Sequence, residues 1–433
     1  MNSSKLALHG GEPAVKKTAQ ENLFHWPIIT SEDEEAVVGV MRARKFSNQD
    51  IAKEFESKYA AWQGSKYGLA CMNGTAALNA SFWACGIGAG DEVISPSMTY
   101  WATCQGVLQL GATVNFADID PVTLTIDPKD IEHRIGPKTK AIIVCHWCGH
   151  PCDMDPIMEI AAKHNLKVIE DVSHAQGGWY KGRRVGTIGH ISAASLMSGK
   201  AFPIGEGGIM CTDDRELYER CAAYGYYERT GGAFRWGVSS GEINIPELQK
   251  FKGLCLSSSK YRLNQTCAAM GLVQLKYYEE RMAVIQKANN RFADGIEGLK
   301  GIRPHRVKWK DSTMGGWYFP RALFFPEELE GLDSGRFAEA VTKEGVPSFS
   351  AGGNIPLHLH AVFHELDFFN QGKPTAVAFG QRDVRQGPGS LPVTENYEFR
   401  SVYIPYFRQY DEAFIDECAA AVRKVAENYK DLL

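Results

Sequence analysis

Short apolar runs alternate with helix-like segments from about residue 65 to residue 210. Segments such as "TAALNASFWACG" and "MDPIMEIAAKHN" have the composition of helices. Five runs have the length and β-branched content of strands: "GLACM", "DEVISPS", "ATVNFADID", "KAIIVCH" and "LKVIEDVSH". This alternation predicts βαβ units, and therefore an α/β protein with a mostly parallel sheet, of the seven-stranded type, covered by helices. Ligands of such sheets bind at the carboxyl ends of the strands.

The pattern changes in the second half of the chain. Residues 265–297 predict one long helix, because apolar residues recur there at steps of three and four. These residues are Ala268, Leu272, Leu275, Tyr278, Met282 and Ile285. After about residue 300 the apolar runs become shorter and are broken by Pro and Gly. We therefore expect a large domain over 31–275 and a smaller C-terminal α+β domain over 276–433, on which residues 1–30 pack.

Composition and charge exclude several classes of function. The 433 residues carry a formal net charge of −4 and no long basic run, which argues against nucleic acid as the main partner. No apolar stretch has the length of a signal peptide or of a membrane span. The 11 cysteines are scattered through apolar runs, so we expect reduced thiols in a cytoplasmic protein without a membrane partner.

Two stretches at predicted strand ends suggest anion and base binding. In "CMNGTAALNA" a strand ends and a helix begins, so Gly74 and Thr75 can cradle a phosphate at the helix N-terminus. An ordinary helix cap is the alternative. In "VIEDVSHAQG" at least one of Glu170 and Asp171 faces the crevice, where it can hold a heterocyclic nitrogen protonated. His174 can contact the same ring, although a solvated loop with a capping Asp explains this stretch equally well.

A third stretch, "SLMSGKAFPIGEGGIM", contains a single lysine among weakly polar residues. A lysine in apolar surroundings has a lowered pKa and becomes an amine nucleophile. Lys200 is therefore a candidate nucleophile, and a plain surface lysine is the alternative. Pyridoxal phosphate requires such a lysine, an acid at its ring nitrogen, a phosphate cradle and an aromatic face. "SPSMTYWATC" offers the aromatic face through Tyr100 or Trp101, so the stretches together indicate this cofactor.

The sequence resembles the sugar aminotransferases of the DegT/DnrJ/StrS type, which share the fold-type I architecture. The resemblance covers nearly the whole chain, and "LALHGGEPAV" resembles the opening of the keto-cyclitol (scyllo-inosose) and aminoshikimate-type subgroup. Five further stretches resemble family motifs in order: "NGTAALNASFWACGIGAGDEVISPSMTYWAT", "HPCDMDPIMEIAAKHNLKVIEDVSHAQG", "YKGRRVGTIGH", "GKAFPIGEGG" and "YRLNQTCAAMGLVQL".

The resemblance implies roles for residues around the cofactor. It makes Lys200 the Schiff-base lysine, Asp171 the partner of the pyridine nitrogen and His174 a neighbour of the ring. The other implied contacts are Ser195, Gly74 and Thr75 to the phosphate and Tyr100 to the ring face.

The resemblance also implies a homodimer whose subunits share each active site. Where the family often has Asn-Tyr-Arg for the neighbouring subunit's phosphate, this chain has Lys260-Tyr261-Arg262. Lys260 is therefore a cofactor candidate and Arg262 a substrate candidate. His358 and His360 in "GGNIPLHLH" match a region near the acceptor pocket, with a structural role as the alternative. Residues 224–259 either line the acceptor site or form a surface excursion.

The implied activity is transfer of an amino group from glutamate or glutamine to a keto-sugar or keto-cyclitol. It would serve the biosynthesis of amino sugars, aminocyclitols or related secondary metabolites. Two alternatives remain open: a nucleotide-sugar dehydratase-like enzyme, whose members usually carry His at the lysine position, and a cofactor-binding regulatory protein without turnover.

One stretch, "CHWCGHPC" at 145–152, has three cysteines and two histidines in eight positions. Zinc binds such ligands, so a zinc protein is a further alternative. Four ligands rarely converge from so short a loop, and the resemblance places a His-x-x-Gly loop here, with His146 and Gly149, that needs no metal. We therefore expect no metal and a loop beside the cofactor crevice.

Overall fold

The computed structural model of the chain describes residues 5–231, 233–234, 237–238, 241 and 243–433. Its strands are β1 (Tyr67–Cys71), β2 (Glu92–Pro96), β3 (Thr113–Ala117), β4 (Thr139–Cys145), β5 (Lys167–Asp171), β6 (Trp179–Tyr180), β7 (Arg183–Arg184), β8 (Ile191–Ser195), β9 (Gly208–Thr212), β10 (Ala233–Phe234), β11 (Gly237–Val238), β12 (Ile302–Pro304), β13 (Arg321–Phe324), β14 (Ser350–Ala351) and β15 (Ser401–Tyr403).

The α-helices are α1 (Ser31–Ala43), α2 (Asp50–Gln63), α3 (Gly74–Ala84), α4 (Pro128–Arg134), α5 (Met154–His164), α6 (Arg215–Gly225), α7 (Pro246–Gln249), α8 (Gln265–Ile296), α9 (Ser334–Lys343), α10 (Thr375–Ala378), α11 (Pro392–Glu395), α12 (Tyr397–Arg400) and α13 (Glu412–Glu427). None of these described helices is long and apolar enough to cross a membrane.

Seven strands form the central sheet in the order β1-β9-β8-β5-β4-β2-β3. Strands β8, β5, β4, β2 and β3 pair in parallel, while β9 runs antiparallel to both of its neighbours, β1 and β8. The predicted α/β class with a mostly parallel sheet is confirmed. Because β1 runs in the same direction as the parallel strands, the carboxyl ends of β1, β4, β5 and β8 lie along one edge of the sheet.

Helices cover both faces of this sheet. Successive side chains of a strand point to opposite faces, so a strand buried on both faces is apolar throughout. In β4, Ile142 and Val144 pack into one core cluster, whereas Ala141 and Ile143 pack into another. The continuous apolar run "AIIVC" is therefore the sequence signature of a doubly covered strand.

Helix α8 connects this sheet to a third core. The helix begins and ends close to the predicted bounds, and Tyr278 and Ile285 pack into the first cluster while Phe292 and Ile296 pack into the third. The third cluster packs on a four-stranded sheet in the order β12-β13-β15-β14. The predicted domain boundary at 275/276 falls inside this continuous helix, so the division stays a prediction.

The N-terminal segment packs on the third core. Leu6 and Leu23 are fully buried in it. The backbone N–H groups of Ala7 and Ala14 donate hydrogen bonds of 2.8 and 2.9 Å to the carboxylate of Glu344, at the end of α9. These contacts hold the start of the chain against its C-terminal half.

Candidate active site

A cavity of about 530 Å³ opens at the carboxyl edge of the central sheet. Residues that follow β1, β4, β5 and β8 form one wall, and residues next to β13 and β15 form the other. The predicted residues that line the cavity are Gly74, Thr75, Tyr100, Asp171, His174, Ser195 and Lys200. The cavity lies where the topology of a parallel sheet places a ligand.

Lys200 lies in the loop between β8 and β9 and is 8% exposed. Its backbone carbonyl accepts a hydrogen bond of 2.8 Å from the indole N–H of Trp26, and its Nζ lies 4.0 Å from the centre of the Tyr318 ring. Burial lowers the pKa of Lys200 to about 8, although the nearby Asp171 carboxylate favours the charged form. A neutral amine is therefore accessible near neutral pH, as a nucleophile or a base requires.

Asp171 is the last residue of β5 and is buried. Its Oδ2 accepts a hydrogen bond of 2.8 Å from the Thr103 hydroxyl, and its Oδ1 accepts one of 3.0 Å from the backbone N–H of Ser173. The Thr103 hydroxyl is in turn 2.7 Å from the Thr99 hydroxyl. These contacts fix the orientation of the carboxylate, which retains acceptor sites for an N–H group of a ligand.

His174 lies in the loop that follows β5, and its ring lies between two aromatic side chains. The ring centres of Trp147 and Tyr318 are 4.7 and 4.5 Å from that of His174. Burial, and next the charge of Lys200, lower the pKa of His174 well below its usual value, so the ring is neutral. Its buried Nδ1 has no hydrogen-bond partner among the described residues. Because buried polar atoms are usually hydrogen-bonded, this nitrogen is a candidate contact for a ligand.

The N-terminus of α3 meets the end of β8 in the same wall. A Cβ on Gly74 would lie 2.8 Å from both Cα and Cβ of Ser195, so only glycine permits this approach. Asn73 caps the helix by accepting a hydrogen bond of 2.9 Å from the N–H of Ala76. This cap involves only the N–H of Ala76. The earlier N–H groups of α3 and the Thr75 hydroxyl are therefore candidate donors to an anion.

The opposite wall contains residues that our sequence analysis missed. Tyr318, Phe319, Arg321 and Tyr403 line the cavity there, and Trp147, which follows β4, is a further such residue on the first wall. The sequence signal for this segment is the pair Gly315-Gly316, which comes just before the aromatic residues. A Cβ on Gly315 would overlap the carbonyl oxygen of Ala175, so the segment packs tightly against the loop after β5. The residues of the opposite wall are more than a hundred positions from Lys200 along the chain, so no local pattern predicts that they lie close to it.

Lys260 and Arg262 do not line the cavity of their own chain. Lys260 is exposed, with its Nζ 5.1 Å from the centre of the Tyr227 ring. Arg262 forms an ion pair of 2.6 Å with Glu228.

The two predicted substrate histidines also lie outside the cavity. His358 is fully buried, with its Nδ1 2.7 Å from the Ser97 hydroxyl and its Nε2 3.0 Å from Glu395. His360 is exposed and contacts the carbonyl of Ile355 at 3.3 Å. Because both ring nitrogens of His358 already have partners, this geometry favours the structural alternative for that residue.

Residues 224–259 lie partly outside the described residues. In the described part, Ile243 and Leu248 pack against Ala223 of α6, and the backbone N–H of Asn244 donates to Glu219 at 2.6 Å. None of the described residues of this segment lines the cavity.

His146, the first histidine of "CHWCGHPC", is fully buried. Its Nδ1 accepts a hydrogen bond of 2.9 Å from the N–H of Cys152, so its proton lies on Nε2, which donates to Glu170 at 3.0 Å. Within the described part of the chain, no three His, Cys, Asp or Glu side chains are grouped as metal ligands. Cys145, Trp147 and Cys148 of this loop line the cavity.

These residues fit pyridoxal phosphate. The cavity offers a buried amine at Lys200, an oriented carboxylate at Asp171, an unpartnered ring nitrogen at His174 and a glycine-lined helix N-terminus at Gly74. This is the set of groups that the cofactor requires, and with the α/β sheet it defines the class of pyridoxal-phosphate-dependent enzymes.

The DegT/DnrJ/EryC1/StrS aminotransferase family matches residues 27–423, and the chain belongs to this family. The protein is thus a pyridoxal-phosphate-dependent enzyme of a sugar aminotransferase family. It is 37% identical to GDP-perosamine synthase of Escherichia coli O157:H7 over 71% of this chain and 79% of that protein. It is 29% identical to L-glutamine:2-deoxy-scyllo-inosose aminotransferase of Streptomyces kanamyceticus over 83% of each chain.

A solved structure, an aminotransferase from Psychrobacter cryohalolentis, is similar along nearly the whole length. It superposes with a TM-score of 0.79 at 30% identity and covers 94% of this chain and 99% of its own.

Proposed function

We propose that the protein transfers an amino group from glutamate or glutamine to a keto-sugar or keto-cyclitol. The observation that carries the proposal is that the Lys200 amine and the Asp171 carboxylate line the same cavity. The relatives named as a GDP-perosamine synthase and a scyllo-inosose aminotransferase support an acceptor ketone on a polyhydroxylated ring. The second name also supports an amino-acid donor such as glutamine.

Lys200 is proposed both to bond the cofactor and to move a proton. When bound, pyridoxal phosphate supplies a carbonyl carbon that accepts amines and a ring that takes up negative charge. With a pKa of about 8, the Lys200 amine is neutral in roughly one molecule in ten at pH 7. Its Nζ can then take a proton from the carbon that bears the donor's amine and return one later, as a general base and acid.

Asp171 and His174 are proposed to hold the ring. The Asp171 carboxylate, oriented by Thr103 and the N–H of Ser173, would accept a hydrogen bond from the ring nitrogen and keep a proton there. His174, neutral and fixed between Trp147 and Tyr318, offers its unpartnered Nδ1 as a polar contact. The N-terminus of α3 with Thr75 and Ser195 is proposed to bind the phosphate, and Tyr100 to cover the ring.

We also propose that two copies of the chain share their active sites. Tyr100 and Phe319, at 50% and 51% exposure, line the cavity but leave much of their aromatic surface open, which a second subunit would cover. Lys260 is exposed and does not reach its own cavity, so it is available to a partner's phosphate site. The mass of the purified protein in solution checks the dimer.

The test replaces Lys200 by alanine in the cofactor-loaded protein. We expect the visible absorbance of the bound cofactor to change to that of the free cofactor and amino transfer to vanish. The matched control is Lys181→Ala, because Lys181 is an exposed lysine paired with Asp155 at 2.8 Å outside the cavity. Lys200→Ala protein that kept the absorbance and the turnover would refute the assignment.

Donors and acceptors are then screened with the wild-type protein. Glutamate or glutamine should bleach the cofactor band, and a keto-sugar or keto-cyclitol should restore it. A band that no donor changes supports the regulatory alternative. Loss of a hydroxyl from a nucleotide sugar without amine gain supports the dehydratase alternative.

A further inference from the structure

Arg321, the first residue of β13, is a buried cation that has no acidic partner among the residues that the structure describes. It is 1% exposed and lines the cavity. Its guanidinium lies 3.4 Å from the centre of the Tyr403 ring and 4.8 Å from that of Tyr397. None of the ion pairs formed within the described residues includes Arg321.

Among the described residues, hydrogen bonds use only part of the Arg321 guanidinium. Nη1 donates to the carbonyl oxygen of Gly352 at 2.8 Å and to the Ser401 hydroxyl at 3.1 Å. Nε is buried and has no partner among the described residues. A guanidinium binds a carboxylate through two parallel hydrogen bonds, and Nε and Nη2 form one of the edges suited to this.

A structural role alone does not explain this arrangement. Taking a charge out of water is costly unless it is paired, and contact with aromatic rings compensates only in part. The equally buried Arg229 shows the usual solution, an ion pair of 2.7 Å with Glu56. The thiol of Cys148 contacts the Arg321 side chain but supplies no charge, because burial raises the pKa of this thiol and keeps it neutral.

The acids of the cavity wall do not provide the missing anion either. Asp171 is held by Thr103 and by the N–H of Ser173. Glu206, the other acid that lines the cavity, forms no ion pair within the described residues. The cavity therefore contains a guanidinium that no described acid neutralises, opposite the wall of Lys200 and Asp171.

We propose that Arg321 anchors a carboxylate of the substrate. The inference rests on the proposed function, in which an amino-acid donor brings a carboxylate next to the reacting amine in every cycle. An acceptor that is itself an acid is the second source of the same chemical group. In either case the carboxylate binds the guanidinium of Arg321 and neutralises its charge.

The experiment compares Arg321→Gln and Arg321→Lys with a matched control, Arg408→Gln. Arg408 is likewise stacked on aromatics, 3.5 Å from the Tyr406 ring centre and 4.6 Å from that of Trp26, with Nη1 unpartnered among the described residues. It does not line the cavity. Arg321→Lys keeps the positive charge but cannot donate two parallel hydrogen bonds to a carboxylate. This variant replaces Arg321→Gln in the experiment if the glutamine variant fails to fold.

Glutarate, a dicarboxylate without an amine, is titrated into the cofactor-loaded proteins by calorimetry. We expect its Kd to rise about 10- to 100-fold in Arg321→Gln, less in Arg321→Lys and less than about 3-fold in Arg408→Gln. The visible band of the cofactor should stay the same in all variants. Unchanged glutarate affinity in both Arg321 variants, with unchanged half-reactions, would overturn the proposal.

The two half-reactions then separate the sources of the carboxylate. If it belongs to the donor, the donor concentration for half-maximal bleaching rises by a similar factor, while the acceptor half-reaction is unchanged. If it belongs to the acceptor, only the second half-reaction weakens. A wild-type protein that no donor bleaches refutes the proposed function, whereas the glutarate titration still reports on Arg321.

Discussion

At the scale of single residues, hydrogen-bond partners separate the roles of two adjacent acids, Glu170 and Asp171. Glu170 is fully buried and accepts from three backbone N–H groups, those of Gly186, Ile188 and Gly189, as well as from His146. Asp171 points to the other side of the strand and faces the cavity. The sequence predicted that at least one of them would face the crevice, but only the packing around β5 decides which one.

The Thr103 hydroxyl is predicted to support the Asp171 carboxylate. Replacing Thr103 by valine keeps the shape but removes a buried donor to a charged group, so we expect kcat to fall about 10-fold. The KM values should change less, because the hydroxyl acts through the Asp171 carboxylate. Steady-state kinetics with donor and acceptor measure both constants.

Thr99→Val is the matched control for this change, because the Thr99 hydroxyl contacts Thr103 and not the carboxylate. Its effect on kcat should be smaller. Equal losses in the two variants would mean that the hydroxyl of Thr103 has no particular role at Asp171.

At the scale of elements, the contact between α3 and β8 shapes the candidate phosphate site. The sequence predicted the strand, the turn and the start of the helix, because Gly-Thr after an apolar strand is a local signal. It did not predict that the glycine is required by Ser195, which is more than a hundred residues away along the chain. The close approach depends on the order of strands, in which β9 separates β1 from β8.

Gly74→Ala is predicted to weaken cofactor binding. Its Cβ would lie 2.8 Å from Ser195, so the helix must shift away from β8, at a cost of about 1–3 kcal/mol. We expect the Kd for pyridoxal phosphate to rise at least about 5-fold, as measured by absorbance titration of the apoprotein. The matched control is Gly39→Ala in α1, where an added Cβ meets nothing within 4 Å. Equal affinity in the two variants would contradict the close-contact argument.

At the scale of the whole molecule, a pair of histidines connects the two halves of the chain. His150, in the loop after β4, stacks on His305, just after β12, with ring centres 5.1 Å apart. His305 donates from Nε2 to the carbonyl of Thr123 at 2.8 Å, and His150 donates from Nδ1 to the carbonyl of Pro151 at 2.7 Å. Both rings are buried, so a proton added to either is poorly accommodated.

This pair predicts a loss of stability in mild acid. Burial lowers the pKa of His150 to about 4 and that of His305 to about 3, against about 6.5 in the unfolded chain. As pH falls below 6.5 the unfolded chain takes up protons that the folded chain does not, so the free energy of unfolding decreases. The decrease should be about 1 kcal/mol for each histidine between pH 6.5 and 5.5.

Urea unfolding of wild-type protein and of His305→Asn at these two pH values measures the effect. The variant should lose about 1 kcal/mol less than the wild type over this interval, whatever its stability at neutral pH. Identical slopes would show that the His305 ring does not titrate as its burial requires.

The sequence by itself determined the α/β sheet, the long helix and the residues at the strand ends, because periodicity, glycines and isolated polar residues are local signals. The family resemblance and the cofactor rest on those same short motifs, and the comparisons confirm both. The tertiary structure alone decided which side chains lie opposite the residues at the strand ends. Tyr318 and Arg321 reach the cavity because the small sheet packs against the carboxyl edge of the large one, while the fold turns His358 inward to Ser97 and Glu395. Contacts between segments more than a hundred residues apart depend on how the two sheets pack, and no local pattern records that packing.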